Sequence, residues 1–190
     1  MSRSDALQPL LPPLASIQRL LARFNERGMV IGGIAASLLG RPRLTADVDV
    51  VLLLSVADLP HLIEAATEER LLPRIADAEN FARRHRVLLL RHEMSGVDVD
   101  ISLGILPFEV EAVERSEVYQ AESISIRLPT PEDLIILKAI AHRPKDLQDI
   151  EAVIQNHPHI DRQRIRHWVQ EFADALEMPE LWNDIADWLK

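Results

Sequence analysis

Two aspartates, Asp47 and Asp49, stand two residues apart at the head of the apolar run Val50-Val-Leu-Leu-Leu54. Side chains alternate along a strand, so both carboxylates fall on one face while Val48 and Val50 take the other. Like charges held that close raise each other's pKa unless something positive sits between them. A divalent ion answers the problem, and hard oxygen ligands on a rigid strand suit magnesium (or manganese), which keeps several waters and is shared with substrate phosphates. Upstream, Met29-Val-Ile31 runs into Gly32 and Gly33. Residues without a Cβ let a phosphate approach backbone N–H groups at a helix start. Glycine pair and carboxylate pair thus read as two halves of one site.

A second acidic pair, Asp98 and Asp100, lies in Val97-Asp-Val-Asp-Ile-Ser102 and again shares a face. An acidic strand face is costly unless it is wet or ligated, and alternation alone does not separate the two acids. Cations are candidates for phosphate contact: Lys138, Arg143 and Lys145 late in the chain, Arg41 and Arg43 beside the Asp47 strand. The alternative is that Lys145, Asp146 and Asp149 form only a surface ion-pair set. Ser37 and Ser95 have no local base to make them nucleophiles, and the seven histidines show no His-x-x-x-His spacing.

The elements that would position these residues follow from periodicity and punctuation. Residues 1–12 are polar and proline-marked. Ile17, Leu20, Leu21 and Phe24 then recur at helical spacing, with a stop at Asn25 to Gly28. Strands are expected near 29–31, 47–54, 86–91, 97–102 and 124–128, the third and fourth joined as a hairpin by His92 to Gly96. Helices are expected from the glycine pair to Leu39, around Leu59 to Ala66, at 78–84 and 107–115, and after Thr130-Pro131-Glu132-Asp133, a hydroxyl N-cap with proline and acids in the first turn. Another follows Pro144, and two more at the end hold all three tryptophans. The expected fold is α/β (α+β), a small mixed sheet with helices packed on it and a C-terminal helical cap. The expected division is 1–155 for the main domain and 156–190 for the helical extension.

The ordered set of Gly32-Gly33, Arg43-x-Thr45-x-Asp47-x-Asp49, a later Asp before Pro107-Phe108-Glu109, and Thr130-Pro131-Glu132-Asp133 … Lys138 … Arg143-x-Lys145-Asp146-x-x-Asp149 resembles the polymerase-beta-type nucleotidyltransferase superfamily. The likeness covers residues 28–155. Within the superfamily it is nearest to small bacterial nucleotidyltransferase-like proteins of toxin–antitoxin and abortive-infection type. The resemblance implies the nucleotidyltransferase fold, a nucleoside triphosphate donor, and a hydroxyl acceptor on RNA, protein or a small molecule. It implies Asp47, Asp49 and a third carboxylate as catalytic and metal-binding residues. Gly32, Gly33, Arg43, Thr45 and Lys138 are the implied nucleotide contacts. The third carboxylate is matched to Asp100, the acid nearer to Leu106-Pro107-Phe108-Glu109, with Asp98 supporting it through Arg43 or Arg91. A cognate toxin or antitoxin is the implied partner, and a non-catalytic antitoxin or interaction module on the same fold is the alternative function.

Composition narrows these readings. A net charge of -9 argues against a general nucleic-acid binder, whose affinity comes from phosphate contacts to a basic surface. The basic runs Arg83 to Arg86 and Arg162 to His167 read as solvated helix faces. The absence of cysteine excludes disulfides, thiolate metal sites and cysteine nucleophiles. Neither a secretory signal nor an apolar run of membrane-spanning length is visible, so a cytoplasmic address and no membrane partner are expected.

Overall fold

Burial follows the predicted alternation. In the strand Asp47–Leu53 (β2), Val48 and Val50 are fully buried while Asp47 is exposed and Asp49 half-buried. In Asp98–Gly104 (β5), Val99 and Ile101 are buried, and Asp98 and Asp100 face the other way. The computed structural model describes residues 7–121 and 123–190, so the start of the polar 1–12 stretch, with Asp5, lies outside the described residues.

In chain order, the helix Leu11–Arg23 (α1) presents buried Leu14, Ile17, Leu20 and Leu21 along one stripe. It stops where Asn25 and Glu26 adopt left-handed backbone angles. The strand Gly28–Ile31 (β1) feeds directly into the helix Gly32–Leu39 (α2), which begins on the glycine pair itself. After β2, Ser55 caps a short 3-10 turn that leads into Leu59–Glu68 (α3). The segment Leu71–Pro73 (β3), Ala78–His85 (α4), Val87–His92 (β4) and β5 follow. Then come Pro107–Arg115 (α5), the hairpin Glu117–Ala121 (β6) and Ile124–Leu128 (β7), Pro131–Ala141 (α6), Pro144–Asn156 (α7), Arg162–Leu176 (α8) and Glu180–Asn183 (α9).

Among the described residues the main sheet has five strands in the order β1-β2-β5-β4-β3, mixed because β2 and β5 run parallel while every other pairing is antiparallel. Three strands depart from expectation, among them Glu117–Ala121, where the sequence predicts none. The 71–73 segment is too short to show alternation, and its strand geometry comes from pairing with β4. The 124–128 strand is not in the main sheet: β7 pairs with β6 in a separate hairpin that packs beside β1 and α1. The tail is continuous with the core, since Ile165 and Val169 of α8, Leu181 of α9 and Ile185 beyond it join the same apolar cluster. Phe108 is buried against Trp168 and Phe172, and the Glu109 carboxylate accepts hydrogen bonds from the Ile105 and Leu106 N–H groups. The Phe-Glu pair thus starts and anchors α5. No helix of the described residues is long and apolar enough to cross a membrane.

One buried polar network ties α6 and α7 to the loop before β2. Lys138 Nζ donates to Asp146 (2.8 Å) and Asp149 (2.9 Å). Arg43 makes a two-pronged pair with Asp149 (3.0 and 2.9 Å), and Arg143 pairs with Asp146 (2.5 Å). Burial alone would raise both carboxyls, but Arg143 and Lys138 hold Asp146 below the usual carboxylate range, and Arg43 and Lys138 do the same for Asp149. Removing one member of such a set leaves an uncompensated buried charge at a cost of about 3–5 kcal/mol. Lys138→Met is therefore expected to lower Tm by about 10 °C in a thermal melt at pH 7. A change of about 2 °C or less would show that the network carries no such charge burden.

Candidate active site

The parallel register of β2 and β5 sets Asp47 opposite Asp98 and Asp49 opposite Asp100, so four carboxylates gather at one end of two adjacent strands. This is the amino end of both strands, although ligands in open α/β sheets usually gather at the carboxyl ends. What brings it into use is the antiparallel β1, whose last residue Ile31 pairs with Asp49 and delivers the start of α2 to the same place.

Gly32 has φ +65°, and a Cβ there would fall inside the Asp49 carboxylate. Only glycine permits both the left-handed turn and that approach. A Cβ on Gly33 would stand 2.5 Å from Thr45 Oγ1, so the space over Gly33 belongs to Thr45, whose hydroxyl donates to Asp47 (2.8 Å). Glycine pair and acid pair are thus in direct steric register.

The acids differ in their surroundings. Asp49 has no hydrogen-bond or ion-pair partner among the described residues. Its pKa is raised, first by burial and then by the charges of Asp47 and Asp100, and Arg143 and Lys138 offset this only in part. Asp100 is also raised, chiefly by burial, against the opposing pull of Arg74. Asp98 is held low, first by its hydrogen bond from Arg91 (2.7 Å) and also by Arg74. The expected pairing of Asp98 with Arg91 forms; Arg43 is turned instead toward Asp149.

Of the residues expected to meet a nucleotide, Gly32, Gly33 and Thr45 stand at the acids. Arg43 and Lys138 are engaged in the α6–α7 network, Lys138 being only 3% exposed. Arg143 is half-exposed, and the charges of Asp49 and Asp47 act on it, which places a cation at the rim. Arg74 was invisible to sequence reasoning: it follows an unrecognised edge strand, and nothing local marks it. Its guanidinium bridges Asp98 (2.5 Å) and Asp100 (2.7 Å).

The donor set is all carboxylate oxygen, with an unpartnered, half-buried Asp49 beside Asp47, and this chemistry fits a hard divalent cation. The cage is not preformed, because among the described residues no three acidic or histidine side chains converge on one point. A recess of about 550 Å³ opens elsewhere, at the far end of β2 and β5, lined by Arg27, Leu53, Ser55, Arg86 and Gly104. It holds no facing acid pair, and Arg86 there is hydrogen-bonded to the Leu103 carbonyl, so the acidic end remains the candidate site.

Comparison with known proteins bears on the family and the fold. A family profile described as "Nucleotidyl transferase of unknown function (DUF2204)" matches residues 14–180. The crystal structure of an antigenic nucleotidyltransferase-like protein from Paracoccidioides brasiliensis is similar in fold, with a TM-score of 0.56 and 15% identity over 97% of this chain and 92% of that one. No curated protein sequence matches the chain.

The raised Asp49 pKa has a signed consequence. The folded protein holds this proton more tightly than the unfolded chain, so stability falls as pH rises from the ordinary aspartate value of about 3.9 through the higher folded value. Asp49→Asn removes that loss. In chelator, the variant is expected to melt roughly 2 °C above wild type at pH 7.5, the gain vanishing near pH 4. A variant less stable than wild type at pH 7.5 would mark Asp49 as a structural residue.

Proposed function

This chain belongs to the family of nucleotidyl transferases of unknown function, and from that premise we propose that it transfers a nucleoside monophosphate from a nucleoside triphosphate to a hydroxyl acceptor, with a divalent cation. The observation that carries the reading is the unpartnered Asp49, packed against Gly32, beside Asp47 and opposite Asp100. A scaffold gains nothing from like charges so placed. A site that must receive a cation and an anionic substrate needs them.

In this reading Asp47 and Asp49, joined by one oxygen of Asp100, would hold the cation, with Thr45 fixing one oxygen of Asp47. Magnesium or manganese, when bound, neutralises charge that develops on the phosphates. The N–H groups at the start of α2, which the glycine pair sets directly against Asp49 and Thr45, receive a phosphate, and Arg143 meets the triphosphate from the rim. Asp100, raised by burial, takes the proton of the acceptor hydroxyl as its oxygen attacks the α-phosphorus. The bond to the leaving pyrophosphate then breaks. Lys138 acts at one remove, through Asp149, by holding Arg43 and the loop before Asp47.

A second reading is supported by one observation: the ion pair of Asp100 with Arg74 keeps the acids apart. A non-catalytic member acting as an antitoxin or interaction module in a toxin–antitoxin pair would retain such a pair permanently. The test is release of pyrophosphate from each of the four triphosphates with magnesium and with chelator. Cation-dependent release is expected, lost in Asp47→Asn and Asp49→Asn. Asp100→Asn should lower kcat by about 10²-fold or more with nucleotide affinity little changed, and Asp98→Asn by less than about tenfold. Nucleotide binding with no turnover in any base would establish the non-catalytic reading, and a more damaging Asp98→Asn would move the proton acceptor to Asp98.

A further inference from the structure

We propose that Arg74 is a positioning residue that withholds Asp100 from the cation site: its guanidinium is an internal counter-cation, which a divalent ion must displace before three carboxylates can act together. The inference rests on the reading of Asp47, Asp49 and Asp100 as a cation site, and it assigns a role to a residue outside that set.

Arg74 follows the three-residue edge strand β3, and its N–H donates to the Leu89 carbonyl of β4 (3.1 Å), extending the edge pairing by one step. Leu89 is paired in turn with Asp100 of β5. The Arg74 side chain therefore crosses β4 over Leu89 to reach the acids, Nη1 to Asp98 and Nη2 to Asp100. It is largely shielded from water, at 22% exposure, which makes the pair stronger than an ordinary surface bridge.

Direction decides what the contact does. Asp49 lies on β2, on one side of β5, whereas Arg74 comes from β3, beyond β4 on the other side. The pull on Asp100 is therefore away from Asp49, which accounts for three acids on two paired strands that do not converge. The two partners of Arg74 also differ in dependence. Asp98 has a second cation, Arg91, at 2.7 Å, and Asp100 has none among the described residues. When Arg74 lets go, Asp98 remains neutralised and Asp100 alone becomes an unpaired carboxylate facing Asp49. Release thus produces the third ligand selectively. The residues on which Arg74 acts hold the cation; Arg74 itself sets how readily it enters.

The test is Mn2+ binding without nucleotide, followed by the electron paramagnetic resonance signal of the free ion, on wild type, Arg74→Gln, Asp49→Asn and the Arg74→Gln/Asp100→Asn double variant. Thermal unfolding of each checks the fold. Removing a charge-assisted competitor should tighten Mn2+ binding about tenfold in Arg74→Gln, and the gain should disappear in the double variant. Arg74→Lys, whose single ammonium cannot hold both acids in the same way, should give an intermediate gain and serves if Arg74→Gln does not fold. If Mn2+ binds wild type through Asp49 but Arg74→Gln binds it equally or more weakly, Arg74 orients Asp100 and the proposal is overturned while the cation site stands. If neither wild type nor any Arg74 variant binds Mn2+, the cation site and the proposal fall together.

Discussion

Repulsion among carboxylates is the constraint on which the rest of this molecule turns. Parallel pairing of β2 and β5 places two Asp-x-Asp pairs side by side, and the sheet fixes their backbones, so only the neighbours of each side chain can relieve the repulsion. Each acid meets the problem differently. Asp98 takes two arginines, Asp100 takes one, Asp47 takes a neutral hydroxyl, and Asp49 takes nothing. The gradient from fully neutralised to unpartnered runs across the sheet toward the glycine pair, where an incoming phosphate would find N–H groups and a cation would find free oxygen.

The buried network of Lys138, Asp146, Asp149, Arg43 and Arg143 is the mechanical counterpart of that gradient. It joins α6 and α7 to the loop before β2, so the position of Asp47 depends on residues about a hundred positions later in the chain. A buried ion-pair set is a poor source of net stability compared with apolar packing, yet breaking it is costly. It therefore fixes geometry more than it adds stability. The same network explains why Lys138, which looks from its place in the motif like a phosphate contact, is turned inward: two half-neutralised carboxylates already claim its ammonium.

Much of the fold could be read before the structure. Alternation placed Asp47 and Asp49 on one face, Thr130 marked a helix start, and the short turn around Gly96 joined β4 to β5, because each signal is local. What escaped was non-local. The 71–73 strand has no period of its own, and β7 pairs with β6 because the chain doubles back, so neither could be placed from its own residues. Arg74 escaped for the same reason, since its partners lie 24 and 26 residues ahead and two strands away. Gly33 is the instructive middle case. Its small size was legible, but the neighbour that requires it is Thr45 as much as any ligand.

The central claim is that Asp47, Asp49 and Asp100 converge on one cation when substrate is present. Anomalous diffraction from crystals grown with Mn2+ and a non-hydrolysable nucleoside triphosphate tests it most directly. The account predicts a peak within about 2.2 Å of oxygens from all three residues, with Arg74 swung off Asp100. A peak held elsewhere, or none at these carboxylates with Arg74 still bridging Asp98 and Asp100, would contradict it.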